Sequence, residues 1–361
     1  MPEDLPPGAD IHDLLGPFLR WVASRAGLGT ILWPTEPRRE AAWGAELKHL
    51  ETSGEYETAI ERVQELWPSA KSWSLAVQVL HFSDLLGTPD LGLERYARLG
   101  SELGGPPPDP ETGHAAEFYR GRLLGQAGNI RQALDQHSRN VAAAGTSDRF
   151  QVLSRFEVAQ LLFRVEDFKA SRREFQVLWD IVQTVQGEDR LACDILKFMA
   201  TLEVVDRIYD LPFSSSLSLA WRKGTADKCI EYADRAYRHA ELAGYEDGLA
   251  WALCVKAFGL EARVEWDEAE STYDAALNLC RTGRCRRSSL AHISTYKAGF
   301  YRRRGDLDVA EGELERARVV IPSEQRLKDH ARVLEELALV LYLKGEADRG
   351  HGVLTAALRL Y

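Results

Sequence analysis

The feature that most constrains this chain is a short signature that returns three times in its last hundred residues. It reads WDEAE at Trp266–Glu270, GDLDVAE at Gly305–Glu311 and GEADRGH at Gly345–His351. Each copy follows an apolar segment of helical period and opens another, the pattern of a helix, a tight turn and a second helix. The turns start at Val264, Gly305 and Gly345, so the separations are 41 and 40 residues. A constant period of this length predicts a repeat array, in which each unit buries its apolar face only by stacking on the next.

A length of 361 residues exceeds what one compact core holds, and the repeats decide for an elongated array over two globular domains. A hydrophobic share of 45% with 28% charged residues is that of a folded chain. No run approaches the roughly 18 uncharged apolar residues of a membrane span. The acidic, proline-rich start MPEDLPPGAD is unlike a secretory leader, so a cytoplasmic protein is expected.

In chain order, residues 1–37 read as an arm and a capping helix, with Asp10 as N-cap and Ile11, Leu14, Leu15, Phe18, Leu19 and Val22 as the apolar stripe. Gly27 and Gly29 lack the preceding strand and third glycine of a dinucleotide loop. Residues 38–187 read as N-terminal repeats, 188–224 as an irregular repeat with an inserted loop at Leu211–Gly224, and 225–361 as C-terminal repeats. In the first repeat, Trp43, Leu47, Gly54, Tyr56, Ala59 and Ile60 supply a wedge, a contact residue, a turn glycine, an aromatic plug, a small crossing residue and an apolar follower. The small residue lets two helix axes approach to about 8–10 Å.

This pattern resembles the tetratricopeptide repeat over most of the chain. Further units stand at Gly87–Tyr96, at Gly121, Gly128 and Ala133, and at Ala159, Phe168 and Phe175 with Ser171 at the crossing. Later units carry Ala257, Trp266, Ala269 and Ala276, then Ala298, Gly305, Ala310 and Ala317, then Ala338, Gly345, Gly350 and Ala357. The period near 40, rather than 34, is similar to that of sensor arrays in some large bacterial transcription activators. The resemblance implies an all-α, right-handed superhelical solenoid whose first helices line a concave surface.

No H-E-x-x-H, Walker loop, G-x-S-x-G elbow or dinucleotide fingerprint occurs, which argues against an enzyme and against a bound cofactor. The five scattered cysteines, Cys193, Cys229, Cys254, Cys280 and Cys285, predict reduced buried thiols and no metal, with zinc between Cys280, Cys285 and His292 as the alternative. The net charge of −10 disfavours non-specific binding to nucleic acid or anionic membrane. One run stands against that acidity: Arg281, Arg284, Arg286, Arg287, Lys297, Arg302, Arg303 and Arg304 lie within 24 residues that hold no acid. Such a run either serves the helix dipoles at two C-terminal ends or forms a patch for carboxylate, phosphate or nucleic acid.

With the repeat geometry implied by the resemblance, the concave wall would carry Phe118, Arg122, Phe156, Gln160, Phe163, Trp251, Phe258, Thr295, Arg302, Glu335, Leu339 and Tyr342. Together with Arg286, Arg287, Arg303 and Arg304 these are the candidate partner-binding residues. Aromatics give contact area at low entropic cost and arginines fix polar ends, which suits an extended peptide, acidic in part, or another protein's helix. The expected function is therefore a scaffold or adaptor that binds protein or peptide. The alternatives are a sensor module acting through a separate chain and nucleic-acid contact through the basic run. The apolar last helix, ending in Leu358, Leu360 and Tyr361, predicts packing on another subunit.

Overall fold

The computed structural model describes residues 40–53, 55–107, 109–143, 149–185, 187–208, 219–282, 285, 287–320 and 327–360. The arm and capping helix expected over 1–37, the turn glycine Gly54, residues 211–218 of the expected loop, and Arg284 and Arg286 lie outside them.

Among the described residues the chain forms sixteen helices and no strand. They alternate as first and second members of hairpins. The first helices are α1 (Glu40–Ser53), α3 (Trp73–Leu86), α5 (Pro110–Gln126), α7 (Arg149–Arg164), α9 (Asp189–Ile208), α11 (Glu246–Ala262), α13 (Arg287–Arg304) and α15 (Leu327–Leu343). The second helices are α2 (Tyr56–Leu66), α4 (Pro89–Leu103), α6 (Ile130–Ala142), α8 (Phe168–Val182), α10 (Leu219–Leu242), α12 (Trp266–Thr282), α14 (Leu307–Val320) and α16 (Ala347–Leu358). Two compact units divide the chain at Glu174/Phe175. No helix among the described residues is long and apolar enough to cross a membrane.

One turn closes six of the hairpins. The first helix ends on a residue of positive φ, namely Gly87, Gly128, Glu166, Val264, Gly305 or Gly345. The next residue then donates its N–H back to a carbonyl five positions earlier: Thr88 to Ser83, Asn129 to Leu124, Asp167 to Leu162, Glu265 to Leu260, Asp306 to Tyr301 and Glu346 to Leu341, all at 2.9–3.0 Å. This Schellman closure satisfies carbonyls that a helix end would otherwise leave without partners. Five residues beyond each turn stands the small crossing residue: Gly92, Ala133, Ser171, Ala269, Ala310 and Gly350, all buried. A Cβ on Gly92 would lie 2.4 Å from the Ser83 Cβ, and Ser171 fits because its hydroxyl donates to the Ala159 carbonyl at 2.8 Å. Starts are fixed locally too. Ser72 accepts from the Leu75 N–H and Asp109 from the Thr112 N–H, with Pro110 opening α5.

In the first unit, Leu47, Ala59, Ile60, Val63, Leu75 and Phe82 form a buried core under α1–α4. In the second, Cys254, Phe258, Tyr273, Leu277, Phe300 and Leu341 belong to one continuous cluster. The irregular segment expected over 188–224 opens with a long helix. Asp189–Ile208 and Leu219–Leu242 are long helices packed along each other, and His239 meets Asp189 at 2.8 Å between them. Residues 219–224, read as loop from their composition, are helical.

First helices also touch one another in succession: α3 with α5 and α5 with α7 in the first unit, then α9 with α11, α11 with α13 and α13 with α15 in the second. Each unit therefore has a first-helix layer and a second-helix layer.

Candidate functional site on the first-helix layer

In the first unit the layer is crossed by polar contacts. Glu51 on α1 meets His81 on α3 at 3.3 Å. Asp84 on α3, almost wholly buried, accepts from Arg122 Nε at 3.0 Å and Gln126 Nε2 at 2.7 Å, both on α5. Arg122 also faces Glu157 on α7 at 3.7 Å and lies 5.8 Å from the Phe118 ring. Phe118 itself is buried, 5.7 Å from Phe150 and 5.8 Å from His137, so it is a packing residue and not part of an open wall. Phe156 and Phe163 are half-buried, and Phe163 packs edge-on against Phe168 at 5.4 Å.

In the second unit the layer carries a row of aromatic and cationic side chains. Trp251 on α11 is half-buried, and its Nε1 donates to Ser289 Oγ at 3.0 Å. On α13, His292 and Tyr296 both stand 6.0 Å from the Trp251 ring. Arg332 on α15 is exposed, lies 5.4 Å from the Tyr296 ring and donates to its hydroxyl at 3.2 Å. On the other side of Trp251, the Lys197 ammonium of α9 lies 5.9 Å from the indole and is held by Asp194 at 2.5 Å. The row thus crosses four successive first helices. Phe258, expected in it, is buried behind it against Tyr273 and Tyr296.

Sequence reasoning missed Lys197, His292 as a partner of Trp251, Tyr296 and Arg332, although a signal was there. Trp251, His292 and Arg332 each stand thirteen residues before a turn residue, at 264, 305 and 345. They share one register on three consecutive helices.

The basic run is largely engaged within the fold. Lys297 is buried between Asp274 at 2.6 Å and Glu313 at 3.4 Å. Arg302 meets Glu336 at 3.4 Å, and Arg303 forks onto the buried Glu261. Arg304 bridges Glu270 and Asp306, each at 2.8 Å. The expected open patch at Arg302, Arg303 and Arg304 is accordingly a set of ion pairs between hairpins. Arg286 and the side chain of Arg287 lie outside the described residues. Arg304 belongs to a repeated arrangement in which the cation just before the turn residue reaches two acids, one two positions on and one on the preceding second helix. Arg263 meets Glu265 and Asp227, Arg304 meets Asp306 and Glu270, and Lys344 meets Glu346 and Glu311.

Tyr342 is exposed, as are Leu339 and Leu343 beside it and Leu358 on α16. Cys193, Cys229, Cys254 and Cys280 are buried, and burial pushes the Cys193 thiol up to about 12. Cys285 is half-buried 3.8 Å from the Glu246 carbonyl, while His292 faces Trp251. Among the described residues no group of three His, Cys, Asp or Glu side chains is placed to hold a metal ion.

No family model and no curated protein matches the sequence. Solved structures do. The chain is similar to NprR in complex with its cognate peptide NprX, at a TM-score of 0.58 and 13% identity over 88% of this chain and 86% of that one. It is similar to a Rap protein complexed with competence and sporulation factor, at a TM-score of 0.56 and 11% identity over 80% and 76%. The apo form of RapI gives a TM-score of 0.51 and 10% identity over 88% and 96%. At these identities the likeness is one of fold, and with the hairpin closure and crossing register above it defines an all-α protein of tetratricopeptide-like helical repeats.

Proposed function

We propose that this protein is a non-enzymatic adaptor that holds a peptide segment of a partner against its first-helix layer. One observation carries the reading: the row Lys197, Trp251, His292, Tyr296 and Arg332 runs across four consecutive first helices of the second unit. Such a row follows the direction of stacking, so it suits an extended chain lying across the helices rather than a small molecule lodged between two of them. Trp, Tyr and Arg are the side chains that contribute most to binding when clustered. That NprR was solved with its cognate peptide supports the same use of the fold.

The test is selection of short linear segments from a random peptide library on the full chain, repeated with the Trp251→Ala/Tyr296→Ala variant. Selected segments should bind the variant at least tenfold more weakly, about 1.4 kcal/mol, while circular dichroism and thermal midpoint show the helices intact. A library that yields no retained segment, or segments indifferent to the two substitutions, would overturn the reading.

A further inference from the structure

We infer that Cys280 and Cys285 are a redox-responsive thiol pair, which closes reversibly to a disulfide and so fastens the end of α12 to the connection leading into α13. This is a modification site independent of the peptide-binding reading.

The pairing is a product of where α12 stops. Two side chains five residues apart on one continuous helix stand about 140° from each other around its axis and cannot meet. Here the helix ends at Thr282, between the two cysteines, so the chain can bring Cys285 back toward Cys280. Cys280, in the last turn, is buried in the core of the second unit, and Cys285 packs against that same core. The Cys280 thiol donates to the Cys285 sulfur, and the Cys285 thiol donates in turn to the Glu246 carbonyl at 3.8 Å. The two sulfurs therefore face each other before any bond joins them.

Access divides the labour between them. Of the five cysteines, Cys285 alone is open to solvent in part, while Cys193, Cys229, Cys254 and Cys280 are buried. Burial pushes both thiols of the pair up, and the hydrogen bond from Cys280 pulls the Cys285 thiol back down. The attacking thiolate accordingly forms on Cys285, and Cys280 resolves. With a small-molecule disulfide as oxidant, the Cys285 thiolate attacks one of its sulfurs, and the first small thiol leaves. The Cys280 thiolate then attacks the Cys285 sulfur, the bond between the two cysteines forms, and the second small thiol leaves. Two protein thiols are oxidised, one small disulfide is reduced, and the two thiol protons end on the two leaving groups. An excess of small thiol runs the same steps backward.

The sequence makes the product easy to read, because Arg281 and Arg284 lie between the cysteines and trypsin cuts after each. The experiment equilibrates the folded full chain with oxidised and reduced glutathione at mildly alkaline pH. It then quenches with acid, alkylates the remaining thiols after denaturation and maps the unreduced tryptic digest by mass spectrometry. The native chain should yield Val264–Arg281 joined to Cys285–Arg286, two hydrogen atoms lighter than the separate peptides, with Cys193, Cys229 and Cys254 alkylated. Reduced glutathione in excess should return both peptides. Cys280→Ser should leave glutathione trapped on Cys285, and Cys285→Ser should leave Cys280 unmodified. Circular dichroism shows that each chain is folded during the reaction. A native chain that keeps glutathione on Cys285 without passing it to Cys280, or one whose pair stays reduced until the helices melt, would overturn the inference. So would glutathione on Cys280 in folded Cys285→Ser.

Discussion

Arg303 donates from Nε and from Nη2 to the two carboxylate oxygens of Glu261, at 2.9 and 3.0 Å, and so joins two consecutive first helices through a fork-on-fork contact. Glu261 also accepts from the buried Tyr273 hydroxyl at 2.6 Å. Burial pushes the Glu261 carboxyl above the usual range and Arg303 pulls against it. A residue that reads in the sequence as surface charge is thus the counter-ion of a buried acid.

Removing that counter-ion leaves a carboxylate nearly out of water. Arg303→Met should destabilise the second unit by about 3–5 kcal/mol, the usual effect of breaking a buried pair from one side. Adding Glu261→Gln should recover much of the loss, since a neutral amide still accepts from Tyr273. Thermal unfolding of the two single variants and the double variant reads the coupling; simple additivity would show that the pair does not act as one.

What the sequence disclosed and what it withheld divide along this same line. The turns at Gly128, Val264, Gly305 and Gly345 and the crossing residues Ala59, Ala133, Ala269 and Ala310 were legible because each answers a steric need within one hairpin, where residue type and spacing suffice. The fate of Phe118, Phe258 and Arg303 was not. Each is decided by what a helix some thirty to forty residues away presents, and a first helix packs on its own partner and on neighbouring first helices alike. The aromatic row was half legible: the repeat geometry reaches Trp251, while His292 and Arg332, at the same offset from their turns, stand three residues before the expected Thr295 and Glu335. Leu219–Gly224 misled because its neighbours, rich in serine, read as loop.

His137 on α6 is fully buried, and neither ring nitrogen finds a partner among the described residues. Burial, with Arg122 adding to it, lowers its pKa from 6.5 to about 4. The sign follows directly. The unfolded chain takes up a proton near pH 6.5 while the folded one resists until about pH 4, so this contribution is complete above 6.5 and is lost as pH falls between the two. The loss should approach about 3 kcal/mol. His137→Leu should remove that component from the pH dependence of stability; an unchanged profile would place the titration elsewhere.

The same ring sets the size limit at position 121. A Cβ on Gly121 would stand 2.5 Å from His137 Nε2, and the imidazole is enclosed, with no open side to turn toward. Gly121→Ala should therefore destabilise the first unit by about 1–3 kcal/mol through overpacking. His137→Ala should make the alanine tolerable, so the double variant should melt higher than the additive expectation. Equal effects of Gly121→Ala with and without the histidine would locate the clash in another neighbour.

Val264 occupies the place that Gly305 and Gly345 hold in the next two hairpins, and it does so at φ 64°. A β-branched side chain in that region strains the backbone, by roughly 1–2 kcal/mol for an L-residue. Its side chain is half exposed, so little apolar burial compensates. Glycine takes the conformation freely but loses about 0.5–1 kcal/mol through its more flexible unfolded state. The balance favours Val264→Gly by roughly 0.5–1 kcal/mol, with the Glu265 to Leu260 closure kept. The measurement is a urea or thermal melt of the full chain, in which the variant's midpoint should rise. A lowered midpoint would mean that the valine methyl groups stabilise the turn by more than its strained backbone takes away, and that the glycines at 305 and 345 are not there for their φ alone.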